Sequence, residues 1–354
     1  MTLLTIERDE LTAPLITPEQ LQEEIPLTNE QLKFILNSRQ EIEAILDRKD
    51  PRILLIVGPC SIHDMEAAYE YGLLFKRLSD LVSNRFLMIM RTYFEKPRTT
   101  IGWKGMLYDP DLDGSYEMQK GVRLTRKLAS DLTNMKIPLG SEILEMTTSH
   151  YYTDYLSWGC IGARTSASPP HRQMASSLEM PIGFKNTVDG NIDTPIQGII
   201  SANSPHVFLG VGQNGQLSRI DTAGNPYCHI ILRGSENGPN YAPQNIAFTL
   251  MKCQKSRVRD SLVIDCSHDN STKIAANQVP VFESIIDQIE SGNRQIVGAM
   301  LESYICEGSQ LISDDLEYGV SITDPCLDWK TTERVILSAY KRLMPERFLS
   351  FSVR

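Results

Sequence analysis

Three cations stand shortly after one apolar run of the chain. Residues 87–90 have the length and composition of a buried strand, and Arg91, Lys96 and Arg98 follow them. Desolvated charges are costly unless they are paired, and Glu95 is the only carboxylate in this stretch. A solvated cationic loop would explain one such stretch. A phosphate or carboxylate ligand becomes the better explanation if other strands of the chain end in the same way.

Further cations end or follow other short apolar runs, namely Arg164, Lys185 and Arg233. Together with the three cations above, they carry more positive charge than a single phosphate requires. The group therefore suits a substrate with both a phosphate and a carboxylate, or two phosphorylated substrates. Arginine dominates the group, which fits bidentate contacts to oxyanions.

Side chains that bind metal ions end three other runs. Cys60, His268 and Glu302 offer a thiolate, an imidazole and a carboxylate, which together describe a divalent transition-metal site. Asp324, in a later segment, offers a fourth ligand. This donor set leaves Mn, Fe, Co and Zn open. Free cysteines are usually buried apolar residues, and we expect that of Cys160, Cys228, Cys253, Cys266, Cys306 and Cys326.

The elements that must position these side chains alternate along the chain after Pro51. Short apolar runs predict strands, and amphipathic segments between them predict helices. The predicted strands are 53–57, 86–90, 137–143, 159–163, 181–184, 229–232, 262–266 and 296–301. The predicted helices are 65–81, 116–132, 149–157, 171–178, 194–202, 242–255, 275–290 and 332–344. Upstream, Thr17-Pro18 predicts a helix start and residues 28–46 show helical spacing.

Alternation of this kind predicts a parallel α/β sheet with right-handed crossovers. Residues 206–211 form one more apolar run, and no helix separates them from the strand at 229–232. If 206–222 is an inserted antiparallel hairpin, eight units remain and close a (β/α)8 TIM barrel; otherwise a nine-stranded open sheet results. We prefer the barrel because neighbouring strands without a crossover cannot be parallel. The active site would then lie at the carboxyl ends of the strands.

The division of the chain follows from this pattern. Residues 1–50 form an N-terminal helical extension, expected to serve regulation or oligomerisation, and residues 51–354 form the catalytic barrel, with the hairpin at about 204–226. The net charge of -9 argues against a nucleic-acid partner, and no apolar run is long enough to cross a membrane. The odd number of cysteines, 7, and the lack of a signal peptide predict a cytoplasmic protein with reduced thiols.

Several motifs resemble those of the type I (microbial) 3-deoxy-D-arabino-heptulosonate 7-phosphate (DAHP) synthases, a feedback-regulated class. The most specific is the run 96–100, Lys-Pro-Arg-Thr-Thr, joined to Gly-Trp-Lys-Gly at 102–105. The resemblance extends from about residue 10 to the C-terminus. The other matching segments are 58–64, 91–95, 162–165, 183–186, 229–234 and 321–324.

The resemblance implies a metal-dependent transferase that catalyses the first step of the shikimate pathway, toward chorismate and the aromatic amino acids. Phosphoenolpyruvate and erythrose 4-phosphate condense with water, and DAHP and phosphate are released. The positions that match the metal ligands are Cys60, His268, Glu302 and Asp324. Those that match phosphoenolpyruvate contacts are Arg91, Lys96, Arg164, Lys185 and Arg233.

The remaining roles follow from the same resemblance and from a hypothesis for the mechanism. Arg98 and Thr99 match contacts to erythrose 4-phosphate. We expect Lys96 to donate a proton to the new hydroxyl and Glu142 to position the attacking water. His268 enters the catalytic set as a metal ligand.

In that family an aromatic amino acid binds the N-terminal arm and the hairpin as a feedback inhibitor. Before the segment 183–186 this chain has Glu179, where phenylalanine- or tyrosine-sensitive members often have Ser or Gly. The carboxylate argues against those two specificities, and the segments 214–216, 224–227 and 323–327 lie closer to the tryptophan-sensitive type. An unregulated enzyme stays possible. We expect a homodimer or homotetramer.

Three alternatives stay open at this point. The related 3-deoxy-octulosonate 8-phosphate synthase would use arabinose 5-phosphate, against which the run 96–100 argues. A metal-dependent aldolase would share the barrel but need fewer cations. A non-catalytic barrel could bind an aromatic amino acid as a sensor, although it would not need an open metal site.

Overall fold

Eight parallel strands close into a barrel in the computed structural model, which describes residues 13–98 and 100–343. The barrel strands are β1 (Ile53–Gly58), β2 (Phe86–Arg91), β3 (Leu139–Glu142), β4 (Leu156–Ile161), β5 (Ile182–Lys185), β8 (Cys228–Leu232), β9 (Leu262–Asp265) and β10 (Ile296–Glu302). Their order around the barrel is β1-β10-β9-β8-β5-β4-β3-β2. The predicted (β/α)8 barrel is confirmed, and the open nine-stranded sheet is wrong.

Nine α-helices lie within the described ranges 13–98 and 100–343. They are α1 (Pro18–Glu24), α2 (Asn29–Leu46), α3 (Met65–Val82), α4 (Met118–Asn134), α5 (Pro169–Ser177), α6 (Asp193–Ala202), α7 (Pro243–Ser256), α8 (Gln278–Glu290) and α9 (Trp329–Leu343). Thr17 and Thr28 each close a capping box, which fixes where α1 and α2 begin. Among the described residues, no helix combines the length and apolar character needed to cross a bilayer.

The helical extension closes the amino-terminal end of the barrel. From α2, Ile42, Ile45 and Leu46 join the apolar cluster inside the barrel. The Leu46 carbonyl accepts from Ser261 Oγ, directly before β9, at 2.6 Å. The open end of the barrel is therefore the carboxyl end of the strands, where the predicted site residues stand.

The inserted segment forms the predicted antiparallel hairpin outside the barrel sheet. β6 (His206–Val211) pairs with β7 (Leu217–Thr222) in a register that sets Phe208 opposite Ile220. Glu19 N–H, from α1, donates to the Gln213 carbonyl at the hairpin turn at 2.9 Å. The helical extension and the hairpin thus meet at one side of the barrel.

Three predictions, two of local structure and one of burial, are wrong. Residues 149–157 form two 3₁₀ turns, Ser149–Tyr151 and Thr153–Tyr155, because Tyr152 between them leaves helical geometry with a φ of -145° and buries its ring. β4 begins earlier than predicted, since the residues from Leu156 onward are buried and pair with β3. Cys306 is exposed after β10, whereas the other cysteines are buried.

Candidate active site

Three of the four predicted metal ligands converge at the open end of the barrel. The Sγ atom of Cys60 and one carboxylate oxygen each from Glu302 and Asp324 lie within 4.8 Å of one another. Cys60 follows β1, Glu302 ends β10, and β1 pairs with β10. These two ligands are therefore neighbours in the sheet although they are distant in sequence.

Hydrogen bonds from neighbouring segments fix these ligands. Gln278, at the start of α8, donates to the Glu302 carbonyl at 2.9 Å and accepts from the Glu302 N–H at 2.8 Å. Ser61 and Thr323 join their hydroxyls at 2.8 Å, which ties the Cys60 loop to the Asp324 loop. Asp324 N–H points at the Cys60 sulfur at 3.4 Å.

His268 borders the cluster but is not part of it, because its ring does not bring a nitrogen within 4.8 Å of all three ligand atoms. Its Nε2 lies 4.0 Å from Glu302 Oε1. Its Nδ1 lies 2.9 Å from Asp265 Oδ2 and 2.7 Å from Ser267 Oγ. His268 also takes a left-handed backbone conformation, with a φ of +54° that is uncommon for histidine. The surrounding contacts thus aim Nε2 toward Glu302.

The donor chemistry of this cluster fits a divalent cation. A thiol and two carboxylates share one small space, and Cys60 and Glu302 are almost completely buried. Burial and the neighbouring charge of Glu302 raise the pKa of the Cys60 thiol to about 12, so the apo site favours the neutral thiol. Mixed thiolate and carboxylate ligation, completed by imidazole, suits a first-row transition ion.

The most deeply buried cations of the predicted group are held by carboxylates. Arg91 is fully buried, donates to Glu302 Oε1 at 2.9 Å and lies over the Tyr93 ring, with its guanidinium carbon 3.9 Å from the ring centroid. Lys185 donates to Asp265 Oδ2 at 3.0 Å. Arg233 pairs with Asp269 through Nη1, while its buried Nε has no hydrogen-bond partner within residues 13–98 and 100–343. Internal carboxylates thus meet the need for anionic partners at these buried cations.

Lys96 stands between the metal cluster and the mouth of the barrel. Its Nζ lies 3.0 Å from Cys60 Sγ and 3.2 Å from the Cys60 carbonyl. Burial alone would favour the neutral amine, but the contact with Cys60 and the negative charges of Asp324 and Glu302 outweigh burial and raise the pKa of Lys96. Lys96 therefore keeps a proton that it can donate.

The remaining cations line a cavity of about 500 Å³ at the mouth. Arg98, Lys104 and Arg164 border it together with Lys96. Arg98 is exposed, and its Nε donates to the Trp103 carbonyl at 2.7 Å, which fixes the loop that carries it. Thr99, predicted to contact erythrose 4-phosphate, lies outside the described residues. The cationic group thus divides into a buried set and a set at the mouth.

Glu142 ends β3 beside the same space. A Cβ atom on Gly162 would approach Glu142 Oε1 to 2.1 Å, so glycine is needed to leave room for this carboxylate. The charge of Glu142 contributes to the raised pKa values of Lys96 and Lys185, which places it near both amines. This position is compatible with the predicted contact to water.

Three charged residues of the site were not assigned from the sequence. Asp265 and Asp269 flank His268 and hold Lys185 and Arg233, and Lys104 lines the mouth. The sequence did place Asp265 and Asp269 at the end of a predicted strand. Their partners, Lys185 on β5 and Arg233 after β8, become neighbours only in the closed barrel. Asp265 stays ionised, since His268 and Lys185 overcome the effect of burial and lower its pKa far below the ordinary value.

A second cavity, of about 270 Å³, lies between the hairpin, the 3₁₀ turns and the end of α5. Glu179 stands at its rim with a largely exposed side chain, 3.2 Å from Arg39 Nη1. Arg39 is buried on α2 and also donates to the Leu156 carbonyl at 2.9 Å. The aromatic ring of Phe208 and the side chain of Ile220 supply the apolar wall. The predicted effector residue is thus remote from the metal cluster but lines a cavity of its own.

Comparisons with known proteins match both the barrel and its extension. A profile of the DAHP synthetase I family matches residues 24–336. The Tyr-sensitive phospho-2-dehydro-3-deoxyheptonate aldolase of Escherichia coli is 45% identical over 332 residues, which cover 93% of each chain. The Trp-sensitive enzyme of the same organism is 45% identical over 324 residues, 91% of this chain and 93% of that one.

A solved structure agrees over the same length. Phospho-2-dehydro-3-deoxyheptonate aldolase from Francisella tularensis superposes with a TM-score of 0.92 at 40% sequence identity, covering 94% of this chain and 98% of that one. The matched family region includes all four predicted metal ligands and all of the predicted substrate cations. The chain belongs to the DAHP synthetase I family.

Proposed function

We propose that the chain catalyses the condensation of phosphoenolpyruvate with erythrose 4-phosphate and water, giving DAHP and inorganic phosphate. The observation that carries this proposal is the convergence of Cys60, Glu302 and Asp324 within 4.8 Å, with Lys96 Nζ 3.0 Å from the same sulfur. The buried cations and the cations at the mouth lie around this cluster and provide positive charge for two anionic substrates. The names of the relatives support the same reaction.

Cys60, His268, Glu302 and Asp324 would hold a divalent Mn, Fe, Co or Zn ion. When bound, such an ion supplies Lewis acidity toward an aldehyde oxygen. His268 faces this cluster through Nε2, which lies 4.0 Å from Glu302 Oε1.

The buried cations bind phosphoenolpyruvate in this proposal. Arg91, Lys185 and Arg233 lie inside the barrel, where water is excluded and charge-assisted hydrogen bonds to phosphate and carboxylate are strong. Lys96 and Arg164 extend this set toward the mouth. Arg98 and Thr99 bind the phosphate of erythrose 4-phosphate. Holding both substrates side by side converts a bimolecular encounter into a local one.

The chemical steps follow from that arrangement. C3 of phosphoenolpyruvate attacks the aldehyde carbon, and the new alkoxide takes a proton from Lys96. Water, oriented by Glu142, adds at C2, and one of its protons restores the protonated Lys96. The C2–O bond to phosphate then breaks with its electron pair going to the phosphate, which takes the remaining proton of the water and leaves as inorganic phosphate. The carbonyl left at C2 completes DAHP. Because the pKa of Lys96 is raised, the amine enters the reaction protonated.

Phosphate release from phosphoenolpyruvate tests the reaction. We expect release that requires erythrose 4-phosphate, stops after treatment with a chelator and returns on addition of Mn²⁺. Arabinose 5-phosphate should support little release, and preference for it would instead establish the octulosonate reaction. Absence of release with every metal ion tested would contradict the proposal and favour the sensor.

The substitution Lys96→Met tests the proton donor. We expect kcat to fall by at least about 100-fold, since a positioned general acid typically contributes that much. Lys255→Met, at an exposed position of α7, is the matched control and should leave turnover unchanged. Near-normal turnover of the Lys96 variant, with unchanged affinity for both substrates, would rule out this role.

We also propose that an aromatic amino acid binds the 270 Å³ cavity as a feedback inhibitor. Glu179 and Arg39 present a carboxylate and a guanidinium 3.2 Å apart, which complements the ammonium and carboxylate groups of an amino acid. Phe208 and Ile220 offer apolar contacts to its ring. Relatives named Tyr-sensitive and Trp-sensitive support such regulation.

Calorimetric titration with phenylalanine, tyrosine and tryptophan identifies the effector. Tryptophan is the expected ligand, and Glu179→Gln should weaken its binding by about tenfold, the effect of about 1.4 kcal/mol. Glu283→Gln, an exposed carboxylate on α8, is the control. Absence of binding by all three amino acids would show that the enzyme is unregulated.

Assembly and location complete the proposal. We propose a homodimer or homotetramer, supported by apolar side chains that the hairpin exposes, namely Val207, Leu209 and Leu217. Light scattering of the purified protein would give the mass directly. A cytoplasmic location stays a prediction from the composition.

A further inference from the structure

We infer that Asp265 is a positioning residue that joins the metal ligand His268 to the substrate-binding cation Lys185. The inference rests on the proposed function, because it concerns how that site is held. Asp265 ends β9 and its side chain is fully buried. Among the residues that the structure describes, Asp265 belongs neither to the lining of the mouth nor to the cluster of three ligands, so its role has to act through other residues.

One carboxylate oxygen of Asp265 contacts both Lys185 and His268. Oδ2 accepts from Lys185 Nζ at 3.0 Å and lies 2.9 Å from His268 Nδ1. The other oxygen, Oδ1, accepts from the Ser267 N–H at 3.1 Å and from Ser267 Oγ at 2.6 Å. Both oxygens are therefore occupied, and the carboxylate cannot turn without breaking several hydrogen bonds.

This arrangement selects the form of His268 that can bind a metal ion. A carboxylate at Nδ1 favours the tautomer with its proton on Nδ1 and leaves the lone pair on Nε2. Nε2 is the atom that faces Glu302 Oε1 at 4.0 Å. Asp265 thereby fixes both the orientation of the ring and the nitrogen that is free.

The same carboxylate sets the position of Lys185. Lys185 ends β5, and its amine reaches across the barrel interior to β9. A flexible lysine side chain held at one point loses less freedom when an anionic substrate arrives. Removing Asp265 should therefore affect metal binding and phosphoenolpyruvate binding together, although the two ligands contact different side chains.

Asp269 offers a matched comparison in the same segment. It pairs with Arg233, another buried cation of the proposed substrate site. No contact between its carboxylate and the His268 ring is found among the described residues. Loss of Asp269 should therefore affect phosphoenolpyruvate alone, whereas loss of Asp265 should affect both ligands.

Calorimetric titration of the metal-free protein with Mn²⁺ tests the inference, alongside the KM for phosphoenolpyruvate. For Asp265→Asn we expect the Mn²⁺ dissociation constant to rise by 10- to 100-fold, the usual effect of losing the carboxylate behind a ligating histidine. The KM for phosphoenolpyruvate should rise as well. Asp269→Asn should raise this KM and leave the Mn²⁺ dissociation constant within about threefold of that of the parent protein.

Two further arms keep the test decisive. If Asp265→Asn does not fold, Asp265→Glu replaces it, because it keeps a negative charge beside Lys185. We then expect Mn²⁺ affinity to fall by at least threefold, since the longer side chain displaces the carboxylate that lies 2.9 Å from His268 Nδ1, and unchanged affinity would overturn the inference. A folded Asp265→Asn protein with unchanged Mn²⁺ affinity, or equal effects of both aspartate substitutions on it, would overturn the inference. Failure of the proposed function is distinguished by the parent protein, which would then bind no Mn²⁺ or release no phosphate.

Discussion

Glu95 is a buried carboxylate whose protonation should be measurable in the stability of the whole protein. Its side chain is almost completely buried, and no ion pair found among the described residues includes it. Thr148 Oγ1 donates to Oε1 at 2.5 Å and Tyr152 Oη donates to Oε2 at 2.9 Å. Burial raises the pKa of Glu95 from 4.5 to about 7; these hydroxyls lower it in part, and the charge of Glu145 adds to the increase.

The sign and size of the effect follow from linkage. The folded state holds the proton up to a pH of about 7, whereas the unfolded chain releases it at about 4.5. The contribution of Glu95 to the free energy of unfolding should therefore fall as the pH rises from 4.5 through 7. At about 1.4 kcal/mol for each pH unit, the loss that Glu95 causes is about 3 kcal/mol. Glu95→Gln keeps the shape of the side chain and removes this loss.

Urea unfolding followed by tryptophan fluorescence at pH values from 4.5 to 8 measures the effect. The two proteins should be similarly stable at pH 4.5, and the Glu95 variant should become more stable than the parent by about 3 kcal/mol at pH 8. Glu283→Gln, at an exposed position, should follow the parent curve throughout. Parallel curves for the parent and the Glu95 variant would refute the reasoning, because they would show that folding does not raise the pKa of Glu95.

Two further predictions concern buried basic side chains, one neutral and one charged. Burial lowers the pKa of His229 from 6.5 to about 4, and Trp158 Nε1–H donates to it at 3.2 Å. The contribution of His229 to stability should therefore be lost as the pH falls from 6.5 to 4, by about 3 kcal/mol. In the same urea series extended to pH 4, His229→Gln should gain about this much stability relative to the parent between pH 7 and pH 4, and absence of the gain would contradict the burial argument. Arg126, fully buried, forms two hydrogen bonds with Asp154, both at 2.9 Å, and donates to the Ile25 carbonyl at 2.8 Å. Arg126→Met should lower the free energy of unfolding by roughly 3 kcal/mol, and a loss below about 1 kcal/mol would show that the pair contributes little.

The sequence by itself determined the barrel and the kind of chemistry at its open end. Apolar strands that alternate with helices have few possible arrangements other than a parallel sheet. The run at 206–211, which no helix separates from the next strand, favoured an inserted hairpin and therefore a closed barrel over an open sheet. Because parallel strands share one carboxyl edge, residues such as Arg91 and Glu302 could be assigned to one site from their positions alone. The candidate side chains for metal and anion binding were predicted in this way.

The tertiary structure alone decided the electrostatic partners. Arg91 with Glu302, and Lys185 with Asp265, are pairs between strands that lie far apart in sequence, so no local pattern identifies them. The raised pKa of Glu95 likewise depends on burial that only the folded chain produces, and the hydroxyls of Thr148 and Tyr152, beside the 3₁₀ turns, lower it in part. The free energy of a charge depends on how far it is desolvated and on which charges surround it, and only the folded chain fixes both.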